Sequence, residues 1–154
     1  MRISSKTRWR ARDPLFRGDA SEAVRPPSPK ADRSVVRHIL YLDGAGRETP
    51  YLSSSESFDV AERFAGQDGR VWEAFTASSR ANGVAHLPLT ELLNLLRGTG
   101  KGNARWKSAV EVQQARRYVE QHLEHLFDFS ALGKLSTVEL RSLLERLFVA
   151  ARRP

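Results

Sequence analysis

The sequence has 154 residues, of which 40% are hydrophobic and 28% charged, and its formal net charge is +7. These values predict one soluble globular domain rather than a disordered, fibrous or two-domain protein. The sequence has no cysteine, which excludes disulfides, thiolate chemistry and cysteine-based zinc sites and fits a reducing cytoplasm. No apolar run approaches the roughly 20 residues of a membrane-spanning helix, and no apolar segment follows the basic N-terminus as a secretory signal requires. We therefore expect a cytoplasmic protein that binds no membrane.

Basic side chains are concentrated at the N-terminus. Residues 1–33 hold nine basic and four acidic side chains, so most of the net charge lies there. We expect residues 1–12 to form a flexible basic arm and residues 13–154 to form a single domain. The arm can hold a polyanion through phosphate contacts, with Trp9 stacking on bases, or it can be a solvated tail that aids solubility.

Apolar runs bounded by turn residues predict the strands. They are expected near residues 14–17, 38–42, 50–54, 70–76 and 108–114. The run at 38–42 is short enough to fit a helix as well. The region 105–127 also fits two descriptions, a single helical stripe or a strand followed by a helix from about residue 117.

Capping residues and helical spacing predict three helices. Ser55 or Ser57 can cap a helix over about 57–65, whose apolar residues recur with helical spacing. A short helix follows Pro88. A capping box that starts at Ser136 precedes a leucine stripe, which predicts a C-terminal helix.

Three separated segments carry the candidate chemistry. The first is an apolar strand that ends in Arg17, within Pro14-Leu-Phe-Arg-Gly-Asp. The second is Tyr51-Leu-Ser-Ser-Ser, followed by a helix that contains Val60-Ala-Glu-Arg-Phe-Ala. The third is the segment around Glu111, Trp106-Lys-Ser-Ala-Val-Glu-Val, with one carboxylate on a possible strand.

In this order, the segments resemble the R-S-E class of mono-ADP-ribosyltransferases, the family of the cholera and heat-labile enterotoxin catalytic subunits. That family has an arginine-ending strand, a [YF]-x-S-T-S strand with a V-A-x-x-F helix, and a strand with the catalytic glutamate. The resemblance covers about residues 14–127. It implies an α+β fold with an ADP-ribosyltransferase-like split β-sandwich core, surrounding helices and a C-terminal helix.

The resemblance also implies an activity and a site. NAD would be cleaved as the substrate, without a metal, and ADP-ribose would pass to a protein or nucleic-acid acceptor. Arg17 would bind NAD and Glu111 would be the catalytic glutamate. Ser53 would serve in both catalysis and NAD binding, while Tyr51 and Ser55 would complete the NAD-binding set. A protein of this kind can be a toxin or effector, delivered into a target cell without a cleavable signal peptide and neutralised by an antitoxin or immunity protein.

Each of these residue types suits the chemistry. An arginine at a strand end offers a rigid fork of donors to a pyrophosphate. A fixed carboxylate stabilises the positive charge that develops on the ribose when the nicotinamide bond breaks. Ala109 stands two residues before Glu111, where arginine-modifying members have a second glutamate, so the acceptor is left open.

Other patterns in the sequence predict other functions. A non-enzymatic nucleic-acid-binding or regulatory protein would use the basic arm, and would make 105–127 one continuous helix with Glu111 turned outward. A protein-interaction module, such as a toxin-neutralising partner, is a third interpretation. The pair His122 and His125 fits an ordinary polar helix face better than a metal site, because few further ligands are present.

Overall fold

The computed structural model describes residues 8–44 and 46–154. They form an α+β arrangement with helices on both faces of one sheet, which confirms the predicted class. The helices are α1 (Val35–Ile39), α2 (Phe58–Ala65), α3 (Thr76–Ala81), α4 (Leu89–Leu95), α5 (Ala109–His122) and α6 (Thr137–Leu147). The strands are β1 (Leu15–Asp19), β2 (Tyr51–Ser55), β3 (Arg70–Ala74), β4 (Ala85–Leu87), β5 (Glu124–Asp128) and β6 (Val149–Ala150).

The sheet is antiparallel, with strand order β4-β5-β2-β1-β3-β6. Strands β2 and β5 pair along their full length, and so do β1 and β3. In contrast, β1 and β2 share a single registered pair, Phe16 with Ser55. The sheet therefore consists of two three-stranded halves whose backbones meet at one registered residue pair.

Two apolar cores cover the two faces of the sheet. On one face, the leucine stripe of α6 packs with Leu52 and Phe127. On the other face, α1, α4 and α5 pack with Tyr51 and Leu126. Neighbouring residues of a strand point to opposite faces, so β2 and β5 each supply both cores. Each fully buried leucine or phenylalanine side chain contributes about 1.5–3 kcal/mol to folding.

Several predicted elements are confirmed. Strands occur at the expected positions near 14–17, 50–54 and 70–76. Helix α2 is capped by Ser57, whose Oγ accepts from the Val60 amide, and α4 begins directly after Pro88. The capping box at Ser136 opens α6 as expected.

The strand predicted near 38–42 is wrong. Residues Val35–Ile39 form α1, because Ser34 caps its N-terminus by accepting a hydrogen bond from the Arg37 amide. Four of the five residues of α1 are buried, so an apolar run of this length is used as a short core helix. The alternative of a short helix, left open by the sequence, is the one observed.

The strand predicted near 108–114 is also wrong. The hydroxyl of Ser108 accepts a hydrogen bond from the Glu111 amide and starts α5, which runs without interruption to His122. Leu123 then adopts a left-handed backbone conformation with φ of 47°, and this residue turns the chain into β5. The sequence patterns did not predict β4, β5, β6 or α3.

The described part of the predicted arm, residues 8–12, lies against the protein. The Trp9 ring packs 4.5 Å from the His125 ring, and its Nε1 donates a hydrogen bond to the Pro14 carbonyl at 3.1 Å. The indole is therefore used in packing and is not presented for stacking on nucleic acid. Residues 1–7, which carry the rest of the predicted arm, lie outside the described residues.

Within the described residues, no helix combines the length and apolar character needed to cross a lipid bilayer.

Candidate functional site

A cavity of about 970 Å³ lies where the two halves of the sheet separate. Arg17 from β1, Ser53 from β2 and Glu124 from β5 all line it. Further lining residues come from α1 and from the segment between α1 and β2, among them His38 and Arg47. The cavity thus collects polar side chains from both halves of the sheet.

Ser53 and Glu124 lie on the same face of the sheet and are joined by a short hydrogen bond. The Ser53 Oγ donates to Glu124 Oε2 at 2.6 Å. In the register of β2 and β5, Ser53 is opposite Leu126 and Ser55 is opposite Glu124, so this contact is a diagonal cross-strand pair. The two backbones therefore fix the carboxylate relative to the hydroxyl.

His38 holds the same hydroxyl from the other side. Its Nε2 lies 2.8 Å from Ser53 Oγ, and its Nδ1 lies 2.9 Å from Thr49 Oγ1. Because the Ser53 hydrogen points to Glu124, Nε2–H of His38 is the donor to Oγ and Nδ1 accepts from Thr49. Burial, with the nearby charges of Arg47 and Arg17, keeps the pKa of His38 well below its usual value, in agreement with this neutral imidazole.

Glu124 is the first residue of β5 and is buried, with 6% of its surface exposed. Burial raises the pKa of Glu124 to about 7, although the Ser53 hydrogen bond and the charges of Arg47 and Arg17 act in the opposite direction. The carboxyl group therefore exchanges its proton near neutral pH, which is the range in which a group can serve both as a proton acceptor and as a fixed negative charge.

Arg17 bridges the gap between the two halves of the sheet. Its Nη1 donates to the Ser53 carbonyl at 3.0 Å. Its Nε and Nη2 donate to the two carboxylate oxygens of Asp19 at 2.9 and 3.0 Å. The guanidinium replaces the missing backbone pairing between β1 and β2, because it ties the backbone of β2 to a side chain of β1.

Tyr51 and Ser55, the other two residues of the predicted NAD-binding set, line the cavity but are engaged elsewhere. The hydroxyl of Tyr51 donates to the Arg33 carbonyl at 2.9 Å, and burial raises the pKa of Tyr51 to about 12. The hydroxyl of Ser55 donates to the His122 carbonyl at 2.6 Å. Both side chains therefore support the wall of the cavity, and Ser55 also fixes the end of α5.

Glu111, predicted as the catalytic glutamate, is not brought together with Arg17 and Ser53. It lies in the first turn of α5 and is not among the residues that line the cavity. Its Oε1 accepts a hydrogen bond from Trp106 Nε1 at 2.8 Å. The expected convergence of the three residues on one cleft is therefore wrong for Glu111, because the segment is a helix, and the glutamate that lines the cavity is Glu124.

His122 and His125 do not share a face. The ring of His122 lies at the end of α5, 5.0 Å from the Phe64 ring and 5.9 Å from the Tyr118 ring. His125 points to the opposite side of the sheet, where its Nε2 lies 2.8 Å from a Glu56 carboxylate oxygen. Among the residues that the structure describes, no group of three or more histidine and carboxylate side chains is arranged to hold a metal ion.

No family model, curated protein or solved structure matches this chain.

Proposed function

We propose that this protein is a mono-ADP-ribosyltransferase toxin or effector, which cleaves NAD and transfers ADP-ribose to a macromolecular acceptor. The observation that carries the proposal is the bonded series from Arg17 through Ser53 to Glu124, on three different strands. The same three residue types, in the same chain order, define the family that the sequence resembles. The proposal takes Glu124, on a strand, as the glutamate of that set in place of Glu111.

The arrangement of the sheet supports the same proposal. The two halves of the sheet share one registered residue pair, as a split β-sandwich core requires, and the cavity lies at this junction. We therefore propose the ADP-ribosyltransferase-like fold as the finer description of the α+β arrangement.

The proposed reaction breaks the bond between nicotinamide and C1′ of the adjoining ribose. The bonding electron pair leaves with nicotinamide, and positive charge develops on the ribose. A nucleophilic atom of the acceptor, or water in the hydrolytic reaction, then forms a bond to C1′ and loses its proton. The Glu124 carboxylate can stabilise the charged sugar and accept that proton, while Ser53 holds the carboxylate in place.

Glu124 must be ionised for this role. With a pKa of about 7, a substantial fraction of the carboxyl group is ionised at neutral pH. The positive charge of a nicotinamide ring in the cavity favours the ionised form further, because opposite charges lower the pKa of an acid. Neutral His38 donates to Ser53 Oγ and leaves its hydroxyl hydrogen directed to Glu124.

The acceptor remains a macromolecule of either class, protein or nucleic acid. Two residues before Glu124 the chain has His122, where arginine-modifying members have a glutamate. The rim of the cavity beside it is aromatic, formed by His122, Phe64 and Tyr118, rather than acidic. This composition supports an acceptor other than arginine. An enzyme that consumes NAD in the cytoplasm would further require a neutralising protein in the cell that makes it.

The non-enzymatic alternative predicts that residues 105–127 form one continuous helix with Glu111 turned outward. The structure meets this prediction only in part: Glu111 lies outside the cavity, but helix α5 runs from Ala109 to His122 and is followed by strand β5 (Glu124–Asp128). The basic arm, which would carry the binding, lies largely outside the described residues. The cavity and its buried carboxyl group have no role in this alternative, so the enzymatic proposal accounts for more of the molecule.

The proposal is tested by incubating the purified protein with NAD and measuring released nicotinamide by chromatography. We expect release that depends on time and enzyme concentration. A parallel reaction with NAD labelled in the adenylate part, supplied with cell protein or with RNA and DNA, identifies the acceptor by the fraction that retains label. Absence of nicotinamide release under all these conditions would overturn the proposed function.

A further inference from the structure

Three of the five N–H donors of Arg17 are committed within the protein. Its Nε and Nη2 bind Asp19, and its Nη1 binds the Ser53 carbonyl. The Nε and Nη2 edge of the guanidinium holds the Asp19 carboxylate, so this edge cannot bind a phosphate group at the same time. Arg17 is therefore suited to hold β1 against β2, and another cation must meet an anionic ligand.

Arg47 lines the same cavity, and some of its hydrogen-bond donors are not used within the described residues. Its Nη2 lies 3.3 Å from His38 Nδ1, a weak contact for a guanidinium. Its Nε is buried and makes no hydrogen bond with any described residue. Nor does a described carboxylate form a salt bridge with Arg47. A buried donor without a partner is costly, so the site calls for an acceptor that the protein does not itself supply.

Tyr41 fixes the position of this arginine. The guanidinium carbon of Arg47 lies 3.9 Å from the centre of the Tyr41 ring, a cation–π contact. Tyr41 has a φ of 56°, which lies in the left-handed region of backbone conformation. Residues other than glycine and asparagine rarely adopt this conformation. The backbone at Tyr41, between α1 and β2, is thus strained in the conformation that places the Tyr41 ring against Arg47.

The charges that line the cavity have an excess of cations. The lining includes two carboxyl groups, Asp19 and Glu124, of which Asp19 is paired with Arg17 and Glu124 is partly protonated near neutral pH. The cationic side chains in the lining are Arg17, Arg25, Arg47 and Arg141. A concave surface with this balance attracts anions.

We infer that Arg47, held by Tyr41, is the group that binds the pyrophosphate of the dinucleotide substrate, whereas Arg17 is a positioning residue for Ser53. The inference rests on the proposed function, because that function supplies the dinucleotide. A guanidinium with a planar set of donors can bind two phosphate oxygens at once, which an ammonium cannot do.

The test measures binding of ADP-ribose and of inorganic pyrophosphate to the full chain by isothermal titration calorimetry, without NAD cleavage. We expect Arg47→Gln to weaken ADP-ribose binding at least tenfold and Arg47→Lys to weaken it less. Tyr41→Phe should bind as the unaltered protein does, and Tyr41→Leu more weakly. Arg97→Gln is the matched control, because it removes the same charge from an exposed position outside the cavity.

The salt dependence separates a direct contact from a structural effect. If Arg47 binds phosphate, the affinity of Arg47→Gln for ADP-ribose falls less steeply with added salt than that of the unaltered protein. Circular dichroism shows whether both proteins are folded. If they are, equal affinity and equal salt dependence in the two proteins would overturn the inference. Failure of the unaltered protein to bind ADP-ribose or pyrophosphate would also overturn it. A third result is that ADP-ribose binding depends on Arg47 but no nicotinamide is released from NAD. This result would support the anion-binding site at Arg47 and overturn the proposed function.

Discussion

The hydroxyl of Ser53 is the point at which three elements meet. It accepts from His38 of α1 and donates to Glu124 of β5, while the carbonyl of the same residue accepts from Arg17 of β1. A serine has one donor and two acceptor positions, so this residue can satisfy both neighbours at once. The orientation of the carboxyl group is therefore set by hydrogen bonds rather than by packing alone.

The pKa of Glu124 makes stability depend on pH. The native carboxyl group keeps its proton up to about pH 7, whereas the unfolded one ionises near its usual value of 4.5. The native state thus binds more protons in this range, and the free energy of unfolding falls as pH rises from 4.5 to 7. We expect Glu124→Gln to be more stable than the unaltered protein at pH 8, by at most about 3 kcal/mol, and to differ little at pH 4. Urea unfolding of both proteins at these two pH values measures the effect, and a difference that does not change with pH would contradict it.

Residue identity alone could not show which glutamate lies beside Ser53. Glu111 and Glu124 both lie in the region that the sequence describes in two ways, and an apolar residue directly precedes each of them. The choice depends on Leu123, whose left-handed conformation ends α5 one residue before Glu124. Leucine has no local preference for this conformation, so tertiary packing decides where the helix stops. Arg17 and Ser53 could be predicted from the sequence because each lies in a short sequence motif, and the two motifs occur in the chain order of the family that the sequence resembles.

At the scale of elements, α2 packs directly on β1. The two come so close that a Cβ on Gly18 would lie 1.8 Å from the carbonyl oxygen of Ala61, in the first half of α2. The glycine is required by this close approach rather than by its backbone angles. Because Gly18 follows Arg17, the same contact fixes the strand that carries the bridging guanidinium.

We expect Gly18→Ala to destabilise the protein by about 3 kcal/mol or more, since the backbone of one element must move. Gly46→Ala is the matched control, because nothing lies within 4 Å of the Cβ position there, and we expect its effect to stay within about 0.5 kcal/mol. Thermal unfolding of the two variants measures the difference. Similar melting temperatures for both would show that the contact between α2 and β1 is looser than described.

The elements that the sequence predicted are those with local signals. Ser57 and the capping box at Ser136 define helices by short-range hydrogen bonds, and the alternation in 70–76 defines a strand. Strand β5 lacks such a signal, because all five of its residues are buried and its pattern merges with the end of α5. Its assignment depends on pairing with β2, which local sequence does not encode.

At the scale of the whole molecule, the two faces of β5 serve different purposes. Glu124 faces the cavity, whereas His125 lies on the opposite face, in a chain of hydrogen bonds with Glu56 and His86. His125 Nε2–H donates to Glu56, and its Nδ1 accepts from His86 Nε2–H, at 2.8 Å in both cases. Trp9 packs on both imidazoles, so this face carries the first described segment of the chain.

We expect the free energy of unfolding to fall at acid pH because of the histidines on this face of the sheet. Burial, with smaller contributions from neighbouring His125 and Arg80, lowers the pKa of His86 to about 4. An unfolded histidine takes up its proton near 6.5, so the unfolded state binds more protons and stability falls as pH falls from 6.5 to 4. Between pH 7 and 4 we expect the unaltered protein to lose about 1–2 kcal/mol more than His86→Gln does, after allowance for solvent screening. Urea unfolding followed by tryptophan fluorescence measures this, and equal acid losses would contradict it.

The central proposal is that the carboxyl group bonded to Ser53, that of Glu124, takes part in NAD cleavage. The direct measurement compares nicotinamide release from NAD by Glu124→Gln and Glu111→Gln, two variants that each remove one negative charge with little change of shape. Loss of about 3–4 kcal/mol of electrostatic stabilisation predicts a rate lower by roughly 10²–10³ for Glu124→Gln. Glu111→Gln should stay within about twofold of the unaltered protein, since its amide oxygen can still accept from Trp106. Full activity in a folded Glu124→Gln, or loss confined to Glu111→Gln, would contradict the account.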